Sequence, residues 1–281
     1  MAKKLRLALV GENIEYSRSP AIFSAICERE KASCEYDVRS VSWSQLETEL
    51  HRLAENGVIG LSITTPHKEA VMPLLDEIDP VARTIGAVNC VAISNGRMIG
   101  YNTDWSGLAH ALEPHATLLD SHPALVIGTG GAARAAIYVL WKAFDVGEYA
   151  VASRSPQNVV TLKTHLERMP GRLSITPTQV PVGSDFGERT VVNCTPLGGY
   201  NHPDSSPFVE TFDWSAVTLY CDLNYNRPNH LIDAARAAGR PVVDGSSMLV
   251  AQALDAFEIW TGRRVHFGPV YEAVFGGSHA P

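Results

Sequence analysis

The chain has 281 residues, 45% of them hydrophobic and 19% charged, an ordinary globular composition with room for one large or two medium domains. A formal net charge of −7 leaves no basic footprint, so no nucleic-acid partner is expected. No apolar run approaches the ~20 residues of a membrane span, so no membrane partner is expected either. The basic start, Met1-Ala-Lys-Lys4, is followed by a short apolar run, Leu5 to Val10, that ends in Gly11-Glu12-Asn13. It reads as a first strand rather than a signal peptide.

The elements then follow in order. Pro20 to Glu30 fits a helix with Ser19 as N-cap and Pro20 at its first helical position. Glu35 to Val41 reads as a second strand and Ser44 to Asn56 as the helix behind it, closed by Gly57; Val58 to Ile63 is a third strand. Strand, helix, strand, helix, strand argues for a parallel sheet. Thr64 to Lys68 is a loop opening a short helix, and Glu77 to Arg83 reads as another helix. Gly86 to Ser94 and Arg97 to Tyr101 form a hairpin about Asn95-Gly96, a strong two-residue turn signal. Asn102 to Gly107 starts a helix that runs to Leu112, and the polar stretch Glu113 to Pro123 joins two units.

The second unit opens on Ala124-Leu-Val-Ile-Gly-Thr-Gly-Gly-Ala-Ala-Arg134, a buried strand, a glycine turn and an Ala-rich helix, Ala132 to Phe144. In the dinucleotide fingerprint the first glycine makes the tight turn and the second lets the backbone approach a pyrophosphate. A small third residue, here Ala133, lets helix and strand pack closely. The free N–H groups at the helix start, and its positive dipole end, suit phosphate. By themselves the glycines could be a plain strand-to-helix turn. Glu148 to Ala152 is the next strand, with Leu173 to Thr176, Thr190 to Asn193 and Thr218 to Asp222 as further strand candidates. Pro228 to Ala238 is a helix ended by Gly239, Pro241 to Val243 a short strand, and Gly245 to Trp260 a long helix. The tail after Gly262 has only scattered apolar residues, and Gly276 to Pro281 is expected to be disordered.

NAD-binding units carry an acid about 20 residues past the glycines for the ribose 2′-hydroxyl. Here Ser153-Arg154-Ser155 stands in that place. A guanidinium can meet a 2′-phosphate through charge-assisted hydrogen bonds, or stack on adenine. Alone it would be a solvated surface arginine; after the fingerprint it favours NADP, with NAD the alternative. Ser17 and Ser19, two apart in a loop, can both face one carboxylate, though turn-making and capping would also account for them. Lys68 and Asp104 each have a plain structural role, an exposed loop lysine and an acid at a helix start. Asn89 is a polar amide in a strand-like run, where it needs a partner. The five cysteines are scattered without paired spacing, which suggests reduced thiols in a cytoplasmic protein. No Cys-x-x-Cys or His-x-x-x-His supports a metal site.

Eight short segments, in order over nearly the whole length, resemble the shikimate dehydrogenase family with its quinate/shikimate and dehydrogenase-like branches. They are Tyr16-Ser-Arg-Ser-Pro20, Ile63-Thr-Thr-Pro-His-Lys-Glu69, Gly86-Ala-Val-Asn89, Gly100-Tyr-Asn-Thr-Asp104, Gly128-Thr-Gly-Gly-Ala-Ala-Arg134, Asn193-Cys-Thr-Pro-Leu-Gly198, Asp222-Leu-Asn-Tyr225 and Gly245-Ser-Ser-Met-Leu-Val-Ala-Gln252. Each is weak alone, and the ordered set is specific. The resemblance implies an α/β chain of two α/β domains: a substrate-binding, catalytic domain of residues 1–106 and 245–281, and a Rossmann-type domain of residues 107–244. The C-terminal helix would return to the catalytic domain, and the site would lie in the cleft between the two. It implies Lys68 and Asp104 as the catalytic pair, Ser17 and Ser19 on the substrate carboxylate, and Thr64, Asn89 and Gln252 on ring hydroxyls, with Tyr225 closing the substrate site. Gly128, Gly130, Gly131, Ala132 and Thr195 would serve the cofactor, Ser153, Arg154 and Ser155 its 2′-phosphate, and Met248 its nicotinamide.

The implied activity is interconversion of 3-dehydroshikimate and shikimate, or a close analogue, by hydride transfer with NADP(H), a step of aromatic amino acid biosynthesis in the cytoplasm. The substrate is a polyhydroxylated cyclohexene or cyclohexane carboxylate, and the chain is a monomer or homodimer. The alternatives are a quinate or aminoshikimate dehydrogenase using NAD(H), and a nucleotide- or ligand-binding regulator without turnover. Five positions depart from the family pattern: Ser62 stands for the usual Asn, Cys90 for Thr and Gly199 for Met, and Asn224 and Arg227 alter the segment around Tyr225. The substrate contact expected from that Asn is shortened or lost at Ser62.

Overall fold

The computed structural model describes residues 4–119, 122–166, 174–183, 187–225 and 228–276. Arg227, Leu173 and residues 277–281, which carry expectations above, lie outside the described residues. The chain forms two compact units, one of residues 1–107 with 249–281 and one of residues 108–248.

Unit 1 runs β1 (Leu5–Gly11), α1 (Ser19–Arg29), β2 (Cys34–Ser40), α2 (Trp43–Glu55), β3 (Gly60–Ile63), α3 (His67–Ala70), β4 (Glu77–Ile78), α4 (Pro80–Ile85), β5 (Cys90–Ser94), β6 (Arg97–Tyr101) and the start of α5 (Asp104–Leu112). Its sheet has the order β2-β1-β3-β5-β6-β4. β1 pairs in parallel with β2 and β3, as expected from the alternation of strands and helices. The sheet then turns mixed, because β5 and β6 are a hairpin and β5 runs antiparallel to β3. Asn95 and Gly96 hold φ of 50° and 76°, the pair of positive values that a two-residue hairpin of this twist requires.

β1 is buried on both faces. Leu7 joins a cluster with Phe23, Ile26, Val250, Phe257 and Trp260, while Ala8 and Val10, on the opposite face, join Leu46, Leu50, Leu53 and Leu61. The C-terminal segment is thus part of the unit 1 core. Trp260 is its anchor: it stacks on Phe23 with ring centroids 5.4 Å apart and donates Nε1–H to Val91 O at 3.0 Å. A Cβ at Gly60 would overlap the Trp260 ring, so the strand has no side chain where the indole lies.

Unit 2 continues with α6 (Ala116–Leu119), β7 (Ala124–Ile127), α7 (Gly131–Phe144), β8 (Glu148–Ser153), α8 (Pro156–Leu166), β9 (Ser174–Gln179), β10 (Arg189–Asn193), β11 (Val217–Asp222), α9 (His230–Ala237) and β12 (Val242–Asp244). α10 (Gly245–Thr261) leads back into unit 1, where α11 (Phe267–Phe275) follows. The unit 2 sheet has the order β12-β11-β10-β7-β8-β9, and each adjacent pair is parallel. That is the doubly wound dinucleotide order, with its switch point between β7 and β10.

Several local expectations are corrected. Ser19 lies inside α1, not at its cap; Ser17 Oγ accepts from Ser19 N–H at 3.2 Å instead. The stretch read as a helix from Glu77 splits into β4 and α4 at Asp79, whose Oδ1 accepts from Val81 N–H at 2.8 Å with Pro80 in the first turn. The join after Leu112 contains a 3₁₀ turn and α6. α8 and α11 are additional to the elements expected from the sequence: α8 buries Val159, Leu162 and Leu166 at helical spacing, and α11 carries Gly268 and Pro269 in its first turn, where a helix tolerates them. The expectation of reduced thiols fails for one pair. Cys27 and Cys34 form a disulfide, because the turn from α1 to β2 brings their Cα atoms to 6.1 Å. Cys90, Cys194 and Cys221 are free thiols.

Candidate active site

Unit 1 gathers polar side chains from four separate stretches into one hydrogen-bonded group around the Asp104 carboxylate, which Lys68 and Asn89 contact directly. Asp104 opens α5, where its charge suits the dipole, and Asn102 Oδ1 accepts from its N–H at 3.0 Å. Lys68, on the single turn of α3, donates Nζ–H to Asp104 Oδ2 at 2.6 Å. The side chains of the pair are 17% and 6% exposed. Lys68 is set against the sheet by its own backbone, whose carbonyl accepts from Val88 N–H at 2.8 Å.

Asn89 answers the question its sequence context posed. It is 4% exposed and its amide N–H groups face Asp104 Oδ1 at 2.9 Å, Thr103 Oγ1 at 3.0 Å and Gln252 Oε1 at 3.3 Å. Its Oδ1 accepts from Thr103 N–H at 2.6 Å. Gln252, on α10, is fixed at its other end by donating Nε2–H to Leu249 O at 2.8 Å. Ser106 Oγ donates to Asp255 Oδ2 at 2.5 Å, a direct tie between α5 and α10. Residues 68, 89, 104 and 252 are therefore one connected group, although 163 positions separate Asn89 from Gln252.

The serines form a second group. Ser17 Oγ donates to Ser19 Oγ at 3.1 Å. Tyr36 OH donates to Ser62 Oγ at 3.0 Å, and Ser19 also hydrogen-bonds the phenol. Burial is the main reason that this phenol is pushed well above the ordinary tyrosine range, with the two hydroxyl contacts opposing it, so it stays a neutral donor. Ser62 faces Cys90 in the β3–β5 register, next to Asn89. The Thr64 side chain makes no hydrogen bond to the Lys68 group among the described residues; its methyl fills the place a Cβ would take on Gly11. Sequence reasoning missed Tyr36, Thr103, Asn102 and the Ser106–Asp255 tie. The signal for Tyr36 was weak, a phenol in an edge strand with polar neighbours.

In unit 2, Gly128 has φ of 117°, and Gly130 caps α7 with no side-chain hydrogen bond, so the helix start is bare backbone. β8 ends at Ser153, whose Oγ accepts from Ser155 N–H at 3.2 Å, and Arg154 beside it is exposed. Bare N–H groups at a helix start, a strand end without an acid and an accessible guanidinium fit a dinucleotide with a ribose phosphate. Thr195 is bound to Asn193, donating Oγ1–H to its Oδ1 at 2.7 Å. Tyr225 is partly buried and Met248 is buried, both in unit 2. Among the described residues no group of three or more His, Cys, Asp or Glu side chains could hold a metal ion, and no helix is long and apolar enough to cross a membrane.

Two family profiles match: the shikimate dehydrogenase substrate binding domain over residues 9–91, and the shikimate 5′-dehydrogenase C-terminal domain over residues 245–275. The chain is similar to the shikimate dehydrogenase (NADP(+)) of Symbiobacterium thermophilum, at 36% identity over 94% of this chain and 90% of that protein. Among solved structures, it is similar to shikimate 5-dehydrogenase from Thermus thermophilus in complex with NADP(H) and shikimate, with a TM-score of 0.82 and 32% identity over 96% and 98% of the two chains. It is also similar to quinate dehydrogenase from Corynebacterium glutamicum in complex with NAD, with a TM-score of 0.81 and 29% identity over 98% and 100%. Motifs, sheet order, polar group and relatives converge: the chain belongs to the shikimate dehydrogenase family.

Proposed function

We propose that this protein is an oxidoreductase that interconverts 3-dehydroshikimate and shikimate, or a close analogue, with NADP(H). The observation that carries the reading is the Lys68–Asp104–Asn89–Gln252 group. Residues 1–106 and 245–281 serve the substrate, and residues 107–244 the dinucleotide. NADPH, held by the glycine turn and Arg154, would supply the hydride for the ring carbonyl carbon. Lys68 gives a proton from Nζ to the carbonyl oxygen, and takes it back in the oxidative direction. Asp104 keeps the ammonium aimed through the 2.6 Å contact. Asn89 holds the other carboxylate oxygen, so Asp104 cannot rotate away. Ser17 and Ser19 bind the carboxylate, and Thr64, Asn89 and Gln252 the ring hydroxyls, with Tyr225 closing that site. A pocket of such groups rejects analogues that lack the hydroxyls, because its own polar atoms would go unpaired.

On the cofactor side Gly128, Gly130, Gly131 and Ala132 serve the pyrophosphate. Ser153, Arg154 and Ser155 hold the 2′-phosphate, and Thr195 and Met248 serve the nicotinamide end. Ser62 keeps quinate and aminated analogues in contention as substrates, since its side chain is shorter than Asn and is engaged with Tyr36. The protein acts as a monomer or homodimer. A cytoplasmic location is supported by the free thiols of Cys90, Cys194 and Cys221, with the Cys27–Cys34 disulfide weighing the other way. One assay tests the function: nicotinamide absorbance with NAD and NADP, each crossed with shikimate, quinate and aminated analogues. Turnover with NADP and shikimate above the other pairs is the expected result, and dinucleotide binding without turnover on any of them would make the chain a regulator.

A further inference from the structure

Two departures from the family pattern meet in space. Asn224, after β11, turns its amide nitrogen to Asp222 Oδ1 at 2.7 Å, Thr195 O at 3.0 Å and Leu197 O at 3.3 Å. The oxygen end of the same amide lies against Gly199. A Cβ on residue 199 would overlap Asn224 Oδ1 and come within 2.9 Å of both Asn224 Cγ and Pro196 O, closer than real Cβ atoms approach. Gly199 is needed here for space and not for an unusual φ, since it is absent from the positive-φ glycines. Gly245, at the start of α10, packs on the other side of this segment, its N–H donating to Asn224 O at 3.1 Å.

The anchor beneath is Asp222, fully buried and accepting also from Tyr220 OH at 2.7 Å, Asn193 Nδ2 at 3.2 Å and Asn229 Nδ2 at 3.3 Å. One carboxylate and one amide therefore tie the loop after β10 to the loop after β11. Both loops leave the carboxyl ends of strands, and β10 flanks the switch point, where dinucleotides bind in this sheet order. The next residue, Cys194, packs on Gly128 of the glycine turn, with 3.4 Å between Cys194 Cβ and a Cβ built at 128.

We infer that Gly199 and Asn224 are an interlocked positioning pair, in which Asn224 clasps the Thr195–Leu197 turn for the dinucleotide and Gly199 makes room for the clasp. The inference rests on the reading of unit 2 as the NADP-binding unit. A large residue at 199 and the Asn224 amide compete for one space, so either change alone would cost the turn its place. The amide does not touch the cofactor in this account; it raises the fraction of molecules whose turn is already in the binding arrangement, and apparent affinity falls with that fraction.

The test is equilibrium titration of the full chain with NADP, without substrate, by tryptophan fluorescence or calorimetry, with a melting temperature for each variant. Asn224→Ala should raise the dissociation constant by about threefold to tenfold, the worth of one hydrogen bond. Asn224→Asp, which keeps the size but loses the donor, should do the same. Gly199→Ala should weaken binding at least as much, and Gly199→Ala/Asn224→Ala no more than Gly199→Ala alone, because neighbours in contact are non-additive. Melting temperatures that fall while the NADP constant stays at the wild-type value would reduce the pair to a structural role and overturn the inference. Losses that multiply in the double variant would overturn it as well. A wild-type chain that binds no NADP would instead sink the functional reading on which it rests.

Discussion

Replacing Lys68 by Ala isolates the chemical step. The ammonium sits 2.6 Å from Asp104 Oδ2, and removing it leaves that oxygen without its cation, while Asn89 still serves the other oxygen at 2.9 Å. A positioned acid or base is worth about 10²–10⁴ in rate, which is about 2.7–5.4 kcal/mol of barrier. The variant also loses stability. Breaking a fully buried pair costs ~3–5 kcal/mol, and water reaches the 17%-exposed lysine side, so we expect ~1–3 kcal/mol, the cost of one unpaired buried group. Urea unfolding run beside steady-state kinetics separates the two effects. The expected result is kcat down by about two to four decades, KM for shikimate changed far less, and the NADP dissociation constant unchanged. Asp104→Asn acts on the same step, so Lys68→Ala/Asp104→Asn should lose little more than the worse single variant. A Lys68→Ala enzyme that turned over at the wild-type rate, with only a raised KM, would make the lysine a binding group and refute the proton-transfer role.

Three further outcomes are expected. Arg154→Ala should weaken NADP by roughly tenfold to a hundredfold, the worth of a hydrogen bond to a charged group, and NAD hardly at all; equal losses in parallel titrations would show that the guanidinium only stacks on adenine. Trp260→Ala should destabilise unit 1 by about 3–5 kcal/mol in urea unfolding, since it empties the site beside Phe23 and Gly60 and removes the indole hydrogen bond to Val91 O; a loss below about 1 kcal/mol would mean the indole is not the anchor of α10. Asp222 has its carboxyl raised by burial, against the opposing effect of its hydrogen bonds, so the native state binds that proton more tightly than the unfolded chain. Its contribution is therefore most favourable below the unfolded aspartate value of about 3.9 and is lost as pH rises through the raised native value. Asp222→Asn should abolish that part of the slope while costing about 1–3 kcal/mol for donors left unpaired, and an unchanged stability-against-pH curve would contradict it.

The parts of the fold that were legible were the ones written in local chemistry. The glycine turn between Ile127 and Ala132, the Asn95-Gly96 hairpin and the Gly239 helix stop each need particular backbone angles that few residues supply. Asp79-Pro80 carries the same kind of signal, a cap followed by a first-turn proline, and it places the start of α4. What the chain did not reveal depends on long-range pairing. The antiparallel seam of β3 with β5 follows from where the hairpin docks, not from its sequence. Tyr36 reaches Ser62 across β1, between strands that are not paired with each other. Cys27 and Cys34 share no motif spacing and meet because the turn between α1 and β2 brings the end of the helix back beside the start of the strand. For the site, residue type alone marks Asn89, a polar amide in a strand-like run; Lys68 and Asp104 read locally as a loop lysine and a helix-start acid, and only the resemblance pairs them, while Thr103 and Asn102 carry the local signature of helix-start residues and owe their roles to distant partners.

Unit 1 is written in two pieces with the whole of unit 2 between them. Unit 2 is continuous, so every contact within it is available once residue 248 has left the ribosome. Unit 1 is not in that position: the Phe23 and Ile26 side of its sheet stays uncovered until Val250, Phe257 and Trp260 arrive. The Trp260–Val91 contact alone spans 169 positions. Closing so long a loop is slow relative to local structure. During synthesis the second unit is therefore finished while the first is still an open sheet with an apolar face, and the residues that bring Gln252 to Asn89 are the same ones that protect the nascent chain from aggregation.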